Sequence, residues 1–101
     1  MYLYNITIKV SNPIHEEWLQ WLKDIHIPEV MSTGCFTDYA VYRLLEVDDS
    51  EGPTYSVQYK TESKSQYNLY IDKFAPALRQ KSFDQWGDAF IAFRSILQAV
   101  N

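Results

Sequence analysis

The stretch Ala89-Phe90-Ile91-Ala92-Phe93-Arg94-Ser95-Ile96-Leu97-Gln98-Ala99-Val100 fits two patterns, and the choice between them decides the fold. Ile91, Phe93, Leu97 and Ala99 share strand parity, whereas Phe90, Phe93, Leu97 and Val100 recur at helical spacing. Propensity leans slightly to helix, because alanine, leucine and glutamine are good helix formers. Topology leans the other way. The elements upstream read β-α-β-β-α, and a right-handed crossover leaves the outer edge of the first strand open unless a fourth strand covers it. We therefore read residues 89–100 as a strand.

The upstream elements follow from periodicity. Tyr2, Tyr4, Ile6, Ile8 and Val10 alternate with Leu3, Asn5, Thr7 and Lys9, which is a strand with one well-buried face. Asn12-Pro13 reads as an N-cap with proline at the first helical position, and Ile14, Trp18, Trp21, Leu22 and Ile25 form the apolar stripe of the helix that follows. Pro28 cannot donate to the carbonyl of Asp24, so this helix is expected to end or kink around His26. A further turn through Met31 then stops at Gly34 as a left-handed cap. Phe36 to Val47 reads as a second strand with imperfect alternation, Asp48 to Pro53 as an acidic turn, and Tyr55, Val57 and Tyr59 as a third strand. Ser63 with Gln66 has capping-box spacing, opening a helix striped by Tyr67, Tyr70, Ile71, Phe74 and Leu78, with a new turn at Pro76.

Composition narrows the function classes. The chain has 101 residues, a size that matches one domain with one core. A formal net charge of −4 and scattered basic residues argue against a nucleic-acid partner, and Lys73, Arg79 and Lys81 read as solvated surface. Cys35 is the single cysteine, so no intrachain disulfide can form; with no secretory leader pattern, a cytoplasmic location is expected. No apolar run approaches the ~20 residues that span a bilayer, so no membrane partner is expected. Eight tyrosines and three tryptophans favour half-wet surfaces such as pockets and subunit interfaces.

The chemistry-bearing residues are few. Trp18 and Trp21 lie one turn apart on a helix face, which is core by default, with Trp21 at the edge of the stripe placed to line a cavity. His26, in the turn disturbed by Pro28, either caps free carbonyls or offers a titratable group to a pocket. Asp24 and Glu29 flank it as groups able to orient its ring. His15 lies near the other end of the same helix, and neither CxxC nor HExxH spacing occurs, so no metal site is expected. With three glycines and no phosphate-loop motif, no cofactor is expected either. Arg94 stands in an apolar strand and, if buried, needs an anionic partner from this chain, a subunit neighbour or an acidic ligand.

The β-α-β-β-α-β order resembles ferredoxin-like domains, specifically the dimeric α/β-barrel superfamily. Trp18-Leu19-Gln20-Trp21, His26-Ile27-Pro28-Glu29-Val30-Met31, Thr33-Gly34-Cys35-Phe36, Tyr55-Ser56-Val57-Gln58-Tyr59, Ala75-Pro76-Ala77-Leu78-Arg79 and Ala92-Phe93-Arg94-Ser95 resemble the domain of unknown function 4286 family. The resemblance implies an α+β fold over residues 1–101, a ferredoxin-like βαββαβ sandwich with a four-stranded antiparallel sheet. It further implies a homodimer in which two sheets face each other, each subunit keeping a pocket between its helices and its own sheet. Trp21, His26, Tyr42, Tyr55 and Arg94 are the candidate ligand-binding residues, with Tyr4 and Tyr59 as further strand candidates; the sequence leaves open which sheet face looks at the helices. Three functions fit: a binding or auxiliary protein for a small aromatic or acidic molecule, a cofactor-independent monooxygenase or isomerase with His26 as base, or a purely structural dimer. The superfamily shares no single catalytic motif, so no catalytic residue is carried over.

Overall fold

In the computed structural model, which describes residues 1–101, the stretch from Phe90 to Gln98 is a strand, and the sheet it completes organises everything else. Four strands, β1 (Tyr2–Val10), β2 (Asp38–Arg43), β3 (Thr54–Thr61) and β4 (Phe90–Gln98), form one antiparallel sheet in the order β2-β3-β1-β4. β1 is central, and β4 pairs along its outer edge from Tyr2 opposite Gln98 to Val10 opposite Phe90. Helix propensity in this stretch loses to a complete ladder of main-chain hydrogen bonds, which no local preference of a few tenths of a kcal/mol per residue can match.

Alternation decides which face is covered. Tyr4, Ile6, Ile8 and Val10 of β1 and Tyr55, Val57, Tyr59 and Thr61 of β3 are buried under the helices. Register adds Tyr39, Val41 and Arg43 of β2 and Phe90, Ala92, Arg94 and Ile96 of β4 to that face. The opposite face carries no helix. β2 is shorter than the Phe36–Val47 strand expected from sequence: Phe36 leaves the sheet to pack in the core, stacked near Tyr4, tilted against Tyr59 and edge-on to Tyr70. The acidic turn before β3 docks on the end of β1, where the Asn12 N–H donates to Glu51 and the Val10 N–H to Pro53. Gly52 is required there. It has φ of +152°, and a Cβ would lie 1.6 Å from the Val10 carbonyl oxygen.

The helical layer consists of α1 (His15–Trp21), α2 (Ile27–Ser32), α3 (Lys64–Lys73) and α4 (Ala75–Trp86). Asn12 does not cap α1; it lies in a short 3₁₀ turn, and its side chain donates to the Ser50 carbonyl at 3.0 Å instead. Ser63 caps α3 as its spacing predicts, accepting from the Gln66 N–H at 3.4 Å. The stop expected near His26 does not occur. Residues Leu22–His26 form a π turn that joins α1 to α2, with the Ile27 N–H donating to the carbonyl of Leu22, five residues back. A one-residue widening absorbs the donor that Pro28 lacks, and the helix continues instead of breaking. The phase of the stripe shifts with it: Trp18, Leu22, Ile27 and Val30 are buried, while Ile25 is 51% exposed.

Candidate functional site

The π turn sets the geometry of the site. In a regular α-helix two residues five apart diverge by about 140° around the axis, since each step turns about 100°. The wider turn brings His26 back under Trp21, and the rings stack with centroids 4.8 Å apart and planes 19° from parallel. Trp86 of α4 meets Trp21 edge-on at 5.9 Å. π turns occur disproportionately at functional sites because they displace side chains without breaking the helix.

Beneath this stack, between the helices and the sheet, lies a cavity of about 70 Å³. Its walls come from Trp18, Trp21 and Leu22 on the first helical segment, Tyr4, Ile6, Ile8, Val57 and Tyr59 on the central strands, Tyr70 on α3, Leu78 on α4, and Phe90 and Ala92 on β4. Its polar lining groups include His26, Arg79, Ser82 and Arg94. Arg79 and Arg94 are the exposed members of the lining, so the mouth lies between α4 and β4. Arg94 enters because it faces the helices opposite Ile6 on the edge strand. Arg79 enters because α4 buries Ala75 and Leu78, which turns Arg79 and Ser82 to the flank of that face.

Electrostatics distinguish this cavity from ordinary core. Burial lowers the pKa of His26 from the ordinary 6.5 to about 4; Glu29 opposes the shift and Arg94 adds to it, so the imidazole is neutral at pH 7. Neither flanking carboxylate bonds its ring: Glu29 takes Lys81 at 2.7 Å and Asp24 accepts from Gln20 at 2.9 Å. The Arg79 guanidinium donates to the Tyr4 hydroxyl at 3.2 Å, and Arg94 belongs to neither of the two ion pairs, which are Arg43–Asp49 and Lys81–Glu29. The Tyr59 hydroxyl is buried without a hydrogen-bond partner. Desolvation drives its pKa far above the usual phenol value, which fixes it as an O–H donor. No three His, Cys, Asp or Glu side chains converge as metal ligands do.

Of the residues selected from sequence, Trp21, His26 and Arg94 meet at this cavity, together with the further strand candidates Tyr4 and Tyr59. Tyr42 does not. It pairs with Ser56 on the sheet face away from the helices and is exposed, because strand parity puts Val41 inward in its place. Tyr55 faces the helices but lies away from the cavity, its ring tilted against Trp18 at 5.7 Å and its hydroxyl bonded to the His15 ring. Half of the eight tyrosines, Tyr4, Tyr55, Tyr59 and Tyr70, are buried in the core. Arg79 was hidden in a basic cluster that reads as surface, and the helical spacing from Ala75 and Leu78 is the signal that places it on the cavity.

The family model for a domain of unknown function, DUF4286, matches residues 1–100. The chain belongs to the DUF4286 family. No curated protein sequence matches this DUF4286 chain. Among solved structures it is similar to a dimeric ferredoxin-like protein from an uncultured marine organism, with a TM-score of 0.74 at 12% identity over 99% of this chain and 95% of that one. An ethyl tert-butyl ether D (EthD) family protein from Bacillus halodurans superposes with a TM-score of 0.66 at 13% identity, over 99% of this chain and all of that one (100%). A dimeric ferredoxin-like protein of unknown function from Jannaschia sp. does so with a TM-score of 0.60 at 11% identity, over 98% and 100%. At these identities the likeness establishes the fold: this DUF4286 protein is an α+β, ferredoxin-like sandwich. None of its helices is long and apolar enough to cross a membrane.

Proposed function

We propose that residues 1–101 act as one domain that binds a small aromatic or acidic molecule in the cavity under the Trp21–His26 stack, as a cytoplasmic homodimeric binding or auxiliary protein. The convergence of His26, Arg79, Arg94 and Tyr59, whose buried hydroxyl is unpartnered, on an otherwise apolar cavity carries this reading. A purely structural role gives the buried Tyr59 donor no acceptor, and buried polar groups are normally paired. The cavity of about 70 Å³ is roughly half the size of one that admits benzene. A ligand ring therefore enters by displacing the Trp21–His26 pair or the Arg94 side chain at the mouth. Side-chain shifts of this kind are common on binding.

The homodimer reading is supported by the uncovered sheet face, where Phe93 is 71% and Ile91 59% exposed, and by the dimeric neighbours of the same fold. Light scattering at micromolar concentration tests it, and a monomer refutes it. For the pocket, a screen of small aromatic acids and neutral aromatics by amide and indole NMR should move the Trp21 indole signal. A screen whose hits all shift residues outside the cavity sinks the reading.

The enzymatic alternative, a cofactor-independent monooxygenase or isomerase, is favoured by one observation: a neutral His26 stands near the cation of Arg94. A proton taken from an activated C–H by the imidazole would leave an anion beside a guanidinium. Against it, a pKa near 4 makes the empty-state imidazole a weak base. His26→Ala and His26→Gln separate the two: lost turnover at unchanged affinity supports chemistry, and equal loss of binding supports recognition alone.

A further inference from the structure

Two cations and no anion meet at the cavity. None of its lining residues is Asp or Glu, yet Arg79 and Arg94 both border it in a chain of net charge −4. The chain's carboxylates have been placed elsewhere. Its two ion pairs use Arg43 and Lys81, while Arg79 settles for a neutral tyrosine hydroxyl. Both arginines line the cavity and both are exposed, Arg79 from α4 and Arg94 from β4, so the two cations border its mouth. A second observation concerns the interior. Tyr59 is 1% exposed, and its hydroxyl has no acceptor. It lies across the sheet from Arg94: Tyr59 pairs with Tyr4, and Arg94 with Ile6, on the two sides of β1. Two strand spacings and one two-residue step put the two Cα atoms about 12 Å apart. Between them the walls are mainly aromatic and aliphatic.

We infer that the cavity takes a flat aromatic carboxylate whose anionic end is held by Arg79 and Arg94 and whose far end offers an oxygen acceptor to the Tyr59 hydroxyl. The inference rests on the pocket reading above and adds the polarity of the ligand and its direction. Paired guanidinium forks suit a carboxylate, which they can bind through parallel N–H bonds. None of the three glycines lines the cavity, so no main-chain phosphate cradle of the glycine-rich kind stands there. Tyr59 remains a donor throughout, so it selects a carbonyl or ether oxygen over an alkyl group at the inner end.

Three probes separate the parts of this statement: 4-acetylbenzoate, 4-ethylbenzoate and 4-acetylbenzamide, titrated by calorimetry and by NMR into the full chain. 4-Acetylbenzoate should bind tightest, and replacing its carboxylate by the amide should weaken binding about tenfold or more. Arg79→Gln and Arg94→Gln, both changes of exposed side chains, should each weaken the two acids about tenfold and leave the amide unchanged. Tyr59→Phe keeps the ring and should abolish the preference for acetyl over ethyl. If acids and amide bind the cavity equally, or the arginine variants leave the affinities of the acids unchanged, the ligand class is wrong while the pocket reading stands. If no probe moves the resonances of cavity residues, both are refuted.

Discussion

Replacing His26 by glutamine should flatten the acid limb of the stability curve. In the folded chain the imidazole is held at a pKa of about 4 against an ordinary 6.5, chiefly because burial disfavours its charged form. Unfolding releases that constraint, so between pH 6.5 and 4 the unfolded chain binds a proton that the folded chain refuses, and stability falls as pH falls. At pH 5 the unfolded imidazole is almost fully protonated and the folded one about a tenth so, a ratio worth about 2 kcal/mol relative to pH 8. By pH 4 and below, the full difference approaches about 3 kcal/mol. Urea melts at pH 5 and pH 8 on the parent and on His26→Gln give the comparison, because carboxylate titration is common to both. The parent should lose about 2 kcal/mol more than the variant between the two pH values. NMR titration of the imidazole supplies the direct check, and Arg94→Gln should move its midpoint upward by removing a neighbouring positive charge. A His26 midpoint near 6.5 in the parent, or a variant that keeps the whole acid loss, would refute the burial argument.

Gly52→Ala should cost at least about 2 kcal/mol in urea-melt stability, since its Cβ would meet the Val10 carbonyl oxygen at 1.6 Å with an unfavourable φ. Leu22→Ala, beneath the π turn at 1% exposure, should cost about 2–5 kcal/mol by the same assay. Phe93→Asp, at a side chain 71% exposed on the uncovered sheet face, should leave the monomer's melting temperature nearly unchanged and shift the mass seen by light scattering from dimer to monomer. A variant that stays dimeric would move the interface off this face.

The sheet was legible because alternation is a local signal. Tyr2 to Val10 and Tyr55 to Tyr59 announce both strand and buried face, and the fourth strand follows from the edge the others leave open. The π turn was not legible as such. Pro28 signals a missing donor, but whether a helix stops or widens depends on what Leu22, Ile27 and Val30 pack against, which is a tertiary matter. The same shift of phase removed Ile25 from the core. Tyr42 was misplaced because a strand with imperfect alternation gives no parity from sequence alone; register with β3 supplies it. Trp21, His26, Arg94 and the strand candidates Tyr4 and Tyr59 could be selected from sequence, but Arg79 required knowing which helix flank meets the strands over the same space.

The pairing of β1 with β4 has a kinetic consequence. β1 is the first and β4 the last of the described elements, so nearly the whole described chain must be gathered before that ladder closes. Such long-range closure is slow, and until it happens β1 presents an open edge rich in tyrosine and isoleucine to any other chain. The last strand also carries Arg94 to one face and Phe93 to the other. Neither the mouth of the cavity nor the exposed apolar face exists in an intermediate that lacks it. Closing this one ladder therefore creates both surfaces together.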